Sequence, residues 1–318
     1  MIERIELSVV IPVYNSAKIF PALYRRLVET LSNIVQSYEI IAVVDGCTDN
    51  SAEVIEMHTK ENPHLKMVEL SRNFGHQMAI TAGLQVSSGE MVVVMDDDLE
   101  DQPELLPKFI SKAQEGYDVV YGIREKRKVS IYRRVAFRFF YRLLNRLSAI
   151  DMPYDSGDFC LMKRPIVDAL NAMPETNRYI RGLRTWLGLK QVGIEYERGR
   201  RPAGRSGYRL INYIKLAMDG ILSFSYKPLT YVSVIGFVVA SASFLVGMRL
   251  LVLKLIGETI IIAGWASIMV AVLFIGGVQL ISIGILGQYI ARIYDEVKQR
   301  PKFIIKRTIG LEKEDAND

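Results

Sequence analysis

Apolar positions in the first 124 residues come in short runs. Leu7–Val13 (LSVVIPV) and Glu39–Val44 (EIIAVV) are rich in β-branched residues and end in turn formers, Asn15 after the first and Asp45-Gly46 after the second. Such runs read as buried strands. Between them, Leu23, Leu27, Val28, Leu31 and Val35 recur at helical spacing, predicting a helix over Phe20–Ser37. The pattern then repeats. A helix is expected at Ala52–Lys60, capped by Asp49 or Ser51, and a strand at Lys66–Leu70. A helix at His76–Val86, a strand at Glu90–Met95, a helix at Pro103–Gly116 and a strand at Asp118–Tyr121 follow. Strands alternating with helices imply an α/β, Rossmann-like fold with a mostly parallel sheet covered on both faces. Ligands of such sheets collect beyond the carboxyl ends of the strands. Asp45 and Asp96–Asp98 both stand at predicted strand ends, so they are expected to share one crevice.

The pattern changes after Leu229. Tyr231–Met248 is 18 residues without a charge, and Thr259–Ala291 is 33. A bilayer span takes about 20 apolar residues. The connection RLLVLKLIGE is short, so the two form a transmembrane hairpin with both ends on one side. Lys227 precedes it, and Arg292, Lys298, Arg300, Lys302, Lys306 and Arg307 follow it. That bias places the ends, and the N-terminal domain, in the cytoplasm, with the hairpin in the inner (plasma) membrane. Arg249 and Lys254 suit the outer interface, where long basic side chains reach water. The expected organisation is a domain at 1–207, a juxtamembrane helix and linker at 208–228, two spans within 229–291 and a basic, polar tail at 292–318 ending in the polar LEKEDAND. A hairpin this small could also pack against copies of itself.

Composition refines this picture. The 318 residues are 50% hydrophobic, and 40 basic against 35 acidic residues give a net charge of +5. The excess sits in two blocks: Arg124–Arg146 with nine basic residues and one acid, and Arg178–Arg209 with nine and two. Such blocks suit an anionic membrane face or phosphorylated ligands. No helix-turn-helix, zinc-finger or RNP pattern points to nucleic acid. Cys47 and Cys160 stand far apart, without disulfide or metal spacing, as expected of a reducing compartment. The N-terminus MIERIELSVVIPVY carries charges before a short apolar run and reads as a first strand, not a signal peptide.

The candidate chemistry lies in VVVMDDDLEDQPE, residues 92–104. If the strand continues, Asp96 and Asp98 face one way and Asp97 the other. Two neighbouring carboxylates repel unless a cation sits between them. Oxygen ligands suit Mg²⁺ or Mn²⁺, which complete their shells with water and substrate phosphates. Glu100 could add a ligand. The competing reading is a solvated acidic turn in which Asp101 caps the helix at Pro103. His58, His64 and His76 show no ligand spacing. His58 and His64 read as surface residues, while His76, after the glycine of RNFG, could touch a bound donor.

The segments VVIPVYN (9–15), VVDGCTDN (43–50), LSRNFGHQMAITAGL (70–84), VMDDDLEDQPE (94–104), YGIR (121–124), SGDF (156–159), NRYIRGL (177–183) and RRPAGRSGY (200–208) occur in that order. Together with the hairpin, the set resembles the polyprenyl-phosphate glycosyltransferases of glycosyltransferase family 2. The resemblance implies a GT-A fold, a nucleotide-sugar donor with UDP favoured, a divalent metal and a polyprenyl-phosphate acceptor. By position, Asp96 and Asp98 match the DxD metal site, and Glu100 a position usually Gln. Pro12, Tyr14, Asn15 and Asp45 match the donor nucleotide pocket, with Asp97 beside the donor. Arg124, Arg134 and Arg138 match basic residues near the acceptor phosphate. Asp158 matches the acid beside the reaction centre, and Arg201, Arg205 and Ser206 a loop that closes over donor phosphates. Ser16, Val44, Cys47 and Gly207 depart from the family's usual Glu, Asp, Ser and Lys.

An acceptor phosphate with a second pKa of about 6 is already mostly dianionic at neutral pH. It needs a cationic guide more than a base, so Asp158 is expected either to act as a weak base or to orient the acceptor or sugar, with orientation favoured. One displacement would invert the anomeric centre. Arg134, Arg138, Arg142 and Arg146 recur every four residues among aromatics, predicting an amphipathic helix near 129–149 in the membrane interface. A processive synthase would be expected to carry QxxRW, which the chain lacks. A non-catalytic assembly protein on the same fold would have no need of Asp96, Asp98 and Asp158.

Overall fold

The computed structural model describes residues 5–124, 156–197, 225–256 and 264–311. They divide into two compact units. One is an α/β unit that includes the segment from Gln299 onward, and the other holds the two apolar helices.

The α/β unit opens with β1 (Leu7–Val13), α1 (Phe20–Ser32), β2 (Tyr38–Val44), α2 (Ser51–Glu61), β3 (Leu65–Leu70), α3 (His76–Val86) and β4 (Met91–Val94). β1 and β2 are buried along their whole length, as strands of a sheet covered on both faces must be. α1 buries Phe20, Leu23, Leu27 and Leu31 and stops at Ser32, five residues before the expected end. The backbone N–H of Asn33 turns back to Thr30 and Leu31 there, and Val35 packs on the core from the following loop. α2 begins at Ser51, one residue before the expected start, and its N-cap is Asn50, which makes no side-chain cap bond. Asp49, expected as a cap, accepts the Ser51 N–H from the position before it.

A 3₁₀ turn (Pro103–Leu105) leads into α4 (Leu106–Gln114), followed by β5 (Val119–Arg124), β6 (Ser156–Lys163), α5 (Arg164–Ala172), α6 (Ile180–Trp186) and β7 (Gln191–Tyr196). The sheet order is β7-β5-β6-β4-β1-β2-β3-β8. The β1–β2, β2–β3, β1–β4 and β5–β7 pairs are parallel. β6 enters antiparallel between β4 and β5. That reversal positions the site, because it brings the start of β6 to the carboxyl ends of its neighbours.

β8 (Ile305–Ile309) corrects the expectation of a basic, polar tail over 292–318. After the second apolar helix the chain returns to the sheet and pairs antiparallel with β3. Lys306 and Arg307 bond Glu69, Arg307 also bonds Glu56, and Lys302 donates to the Met173 carbonyl. Three cations expected to flank a membrane are therefore engaged with the sheet unit.

Two apolar helices make the second unit. α7 spans Lys227–Leu255 and α8 spans Trp265–Val297. Within them, Lys227–Arg249 (mean hydropathy 2.1) and Ile268–Val297 (2.4) are long and apolar enough to cross a membrane, and neither is buried among the described residues. The Tyr289 hydroxyl donates to the Ser225 carbonyl at 2.6 Å, tying the beginning of one helix to the latter part of the other, as in a hairpin.

Gly46 shows how closely the loops beyond the strands meet. Its φ is +58°, and a Cβ there would stand 2.2 Å from the Asn73 backbone nitrogen. Left-handed strain of about 1 kcal/mol and overpacking of about 1–3 kcal/mol would add. Gly46→Ala is expected to lower stability by about 2–4 kcal/mol, read by denaturant unfolding.

Candidate active site

Three loops converge beyond the carboxyl ends of β1, β2 and β4. Asn15 sits at φ 54°, and its side-chain oxygen accepts the Thr48 N–H at 2.8 Å, joining the first loop to the second. The Tyr14 N–H donates to Asp97 Oδ2 at 3.2 Å, joining the first loop to the acidic turn. The Tyr14 side chain is half exposed. Pro12 is buried backbone within β1. Asp45 is buried, and its two oxygens accept the N–H groups of Phe74 (2.7 Å) and Gly75 (2.9 Å). The carboxylate expected to meet the nucleotide thus also anchors the loop that starts α3.

The acidic stretch does not continue the strand. β4 ends at Val94, and residues 96–101 form a turn in which Leu99 has φ 62°. The expected alternation of Asp96 and Asp98 therefore does not apply. Asp98 is buried, and its Oδ1 accepts the Glu100 N–H at 3.0 Å; Glu100 is buried beside it. Asp101 makes no side-chain cap for the turn at Pro103. It accepts the Tyr196 hydroxyl and the Asp96 N–H instead.

The side chains brought together lie across the sheet. β4 and β6 pair as far as Val94 with Cys160, and just beyond that last pair Asp96, past the end of β4, and Asp158, near the start of β6, come together. His76, at the start of α3, places Nε2 3.4 Å from Asp96 Oδ1 and 3.2 Å from Asp158 Oδ2. One nitrogen and two carboxylate oxygens lie within 4.8 Å of one another; this is the one such group of three among the described residues. Asp98 and Glu100 are not in it. Arg181, on α6, grips Asp158 with two hydrogen bonds of 2.7 and 2.9 Å. Gln77 touches Asp158 at 3.5 Å and accepts the Ile180 N–H at 2.9 Å, fixing α3 to α6.

Charge states follow from this geometry. Burial alone would raise the Asp158 pKa, but the Arg181 and His76 contacts hold it well below the usual carboxylate range. Asp158 is therefore ionised at any working pH and unsuited to carry a proton. Burial opposes the His76 cation, yet the Asp158 hydrogen bond and the charges of Asp96 and Asp158 raise its pKa overall. Asp97 moves the other way. Burial first, and then Asp96 and Asp98, push it up to about 6 despite hydrogen bonds from Ser16 and Tyr14. A pKa raised above the unfolded value of an acid penalises the folded state at high pH, and the penalty fades as pH falls from about 6 towards about 4. Without divalent cation, Asp97→Asn is expected to add on the order of 1–3 kcal/mol at pH 7 and almost nothing at pH 4, read as Tm against pH.

The donor set fits a divalent cation. Carboxylates suit Mg²⁺ and Mn²⁺, and an imidazole nitrogen beside them is a ligand that transition metals accept. Binding would displace the His76 proton. Arg181 and Gln77 are not assigned to the site from sequence, and His76 is expected there as a contact to a bound donor, not as a metal ligand. Their signal was the motif NRYIRGL for Arg181 and the RNFG-HQ junction for the other two. Arg124 is the last residue of β5. Arg134, Arg138, Arg201, Arg205 and Ser206 lie outside the described residues, as do the helix expected near 129–149 and all but the last four residues of the juxtamembrane helix and linker expected at 208–228.

Comparison with known proteins agrees with this architecture. Residues 8–170 match Glycosyl transferase family 2. An uncharacterized glycosyltransferase YkcC of Bacillus subtilis is 42% identical over 98% of this chain and 97% of its own length. An SfII prophage-derived bactoprenol glucosyl transferase of Shigella flexneri is 38% identical over 95% of this chain and 98% of its own. A prophage bactoprenol glucosyl transferase homolog of Escherichia coli K12 is 36% identical over 95% and 99%. With a family match over half of the chain and relatives this similar along nearly its full length, this chain belongs to glycosyl transferase family 2.

Proposed function

We propose that the protein moves one hexosyl group from a nucleotide sugar, UDP-glucose or a similar donor, to a polyprenyl phosphate at a membrane. The observation that carries the reading is the meeting of Asp96, His76 and the Asp158–Arg181 pair beyond the sheet. The near full-length likeness to proteins named bactoprenol glucosyl transferases supports the acceptor.

In this reading an acceptor phosphate oxygen bonds to the anomeric carbon as the bond to the donor's β-phosphate oxygen breaks. The nucleoside diphosphate leaves with the bonding electrons, and the anomeric configuration inverts. A divalent cation, Mg²⁺ or Mn²⁺, held by Asp96 with His76 and Asp158 would offset charge on that leaving group. The chain's own groups supply position and field. Tyr14, Asn15 and the Asp45-anchored loop frame the nucleotide. Asp158 needs to accept no proton, since the acceptor is already an anion; held by Arg181, it orients the sugar or acceptor. Arg124, Arg134 and Arg138 are assigned to the acceptor phosphate, and Arg201, Arg205 and Ser206 to the donor phosphates. The apolar hairpin would hold the enzyme in the inner membrane with the sheet unit on the cytoplasmic side.

Purified protein in detergent, given polyprenyl phosphate, a panel of nucleotide sugars and Mn²⁺, should yield a lipid-linked sugar and free nucleoside diphosphate with one donor of the panel. No turnover with any donor, with or without Mn²⁺, would sink the proposal.

A further inference from the structure

Behind the crevice, the acidic turn is tied to the end of β7. Tyr196 Oη donates to Asp101 Oδ1 at 2.5 Å, and Asp101 Oδ2 accepts the Asp96 N–H at 3.5 Å. One residue on, Gln102 Nε2 donates to the Glu197 carbonyl at 2.9 Å. Asp101 and Tyr196 are 1% and 5% exposed, so neither is presented to solvent. The phenol ring is itself fixed. A Cβ on Gly122 would stand 2.6 Å from its Cε1, so only glycine lets the ring lie over β5. Phe159 meets it edge-on at 5.9 Å. A phenol donating to a buried carboxylate is a short, charge-assisted bond, among the stronger kinds a protein makes.

The turn has reason to need this hold. Leu99 occupies the left-handed region at φ 62°, a conformation that costs a side-chain-bearing residue about 1 kcal/mol or more. Such a turn persists only where its surroundings over-determine it. Asp101 spans the turn from its far end back to the backbone of Asp96, the residue that faces His76 and Asp158.

We propose that Tyr196 and Asp101 are positioning residues that fix the backbone at Asp96 and so aim its carboxylate at the cation. The inference rests on the divalent-cation reading of the His76, Asp96 and Asp158 group. Partners that orient metal ligands typically contribute about 10–100-fold in affinity.

The test is Mn²⁺ binding alone, by calorimetry, to the full chain in detergent. Tyr196→Phe keeps the ring against Gly122 and Phe159 and removes only the hydroxyl. Its Kd for Mn²⁺ is expected to rise about tenfold or more, with kcat returning towards wild type at saturating Mn²⁺. A lowered Tm with unchanged Kd would mean that the contact only stabilises the fold, and would overturn the proposal. Asp101→Asn, which retains an acceptor for Tyr196 and loses the one for Asp96, should raise Kd likewise and serves if Tyr196→Phe does not fold. Wild-type protein that binds no Mn²⁺ would instead overturn the cation reading itself, and the brace with it.

Discussion

Asp158→Asn is expected to lower kcat for glycosyl transfer by about 10²–10⁴-fold, the span over which a positioned charge at a reaction centre acts. Asn keeps the shape and removes the charge that Arg181 grips at 2.7 and 2.9 Å. It also leaves a guanidinium with 27% side-chain exposure facing a neutral partner, so part of the loss could come from folding. A broken buried pair costs up to about 3–5 kcal/mol. The double variant Asp158→Asn with Arg181→Gln separates the two effects. It should recover most of the Tm and none of the rate. Recovery of the rate with the Tm would show that Asp158 serves only to neutralise Arg181. A fall in kcat of less than about tenfold for Asp158→Asn would remove it from the reaction.

Asp96→Asn should weaken Mn²⁺ binding by on the order of 100-fold or more, since it takes the charge from a carboxylate shared by both possible ligand sets. The companion variants decide between the sets. Across the sheet, His76 and Asp158 complete the group. Along the turn, Asp98 and Glu100 would complete it, as the family's DxD pattern implies. His76→Ala weakening Mn²⁺ about tenfold while Asp98→Asn changes little would favour the first. The opposite pattern would show that the turn reorganises around the ion, with Asp98 giving up its bond to the Glu100 N–H. Titration of each variant with Mn²⁺ alone gives the answer without a lipid substrate.

The sequence conveyed the early strands and helices because each is a short periodic segment that buries what its pattern says it should. α3 starts and stops where its apolar residues do. β8 was missed because IKRTI carries exposed cations on an edge strand, and a charged edge looks like a tail until its carboxylate partners, Glu69 and Glu56, are placed. The candidate site was half legible. DDD at the end of an apolar run announced a charged crevice, and SGDF announced Asp158. That Asp96 and Asp158 come together depends on β6 running against β4, between residues 62 apart in sequence, which no local periodicity encodes. Arg181 stands within the motif NRYIRGL, but its role depends on the neighbour to which α6 brings it. The alternation of Asp96 and Asp98 depends on the strand continuing past Met95, and nothing in the letters marks Leu99 as a left-handed turn residue.

The returning strand β8 bears on how this enzyme can be made tractable. A stop codon ahead of the first greasy helix would strip the sheet of its outermost member, leaving the rim of β3 bare and Glu69 without its cationic neighbours. Such a fragment invites edge-to-edge aggregation. A water-soluble version is better made by excision than by truncation, deleting the hairpin and joining the upstream chain by a flexible linker to the segment that begins near Gln299.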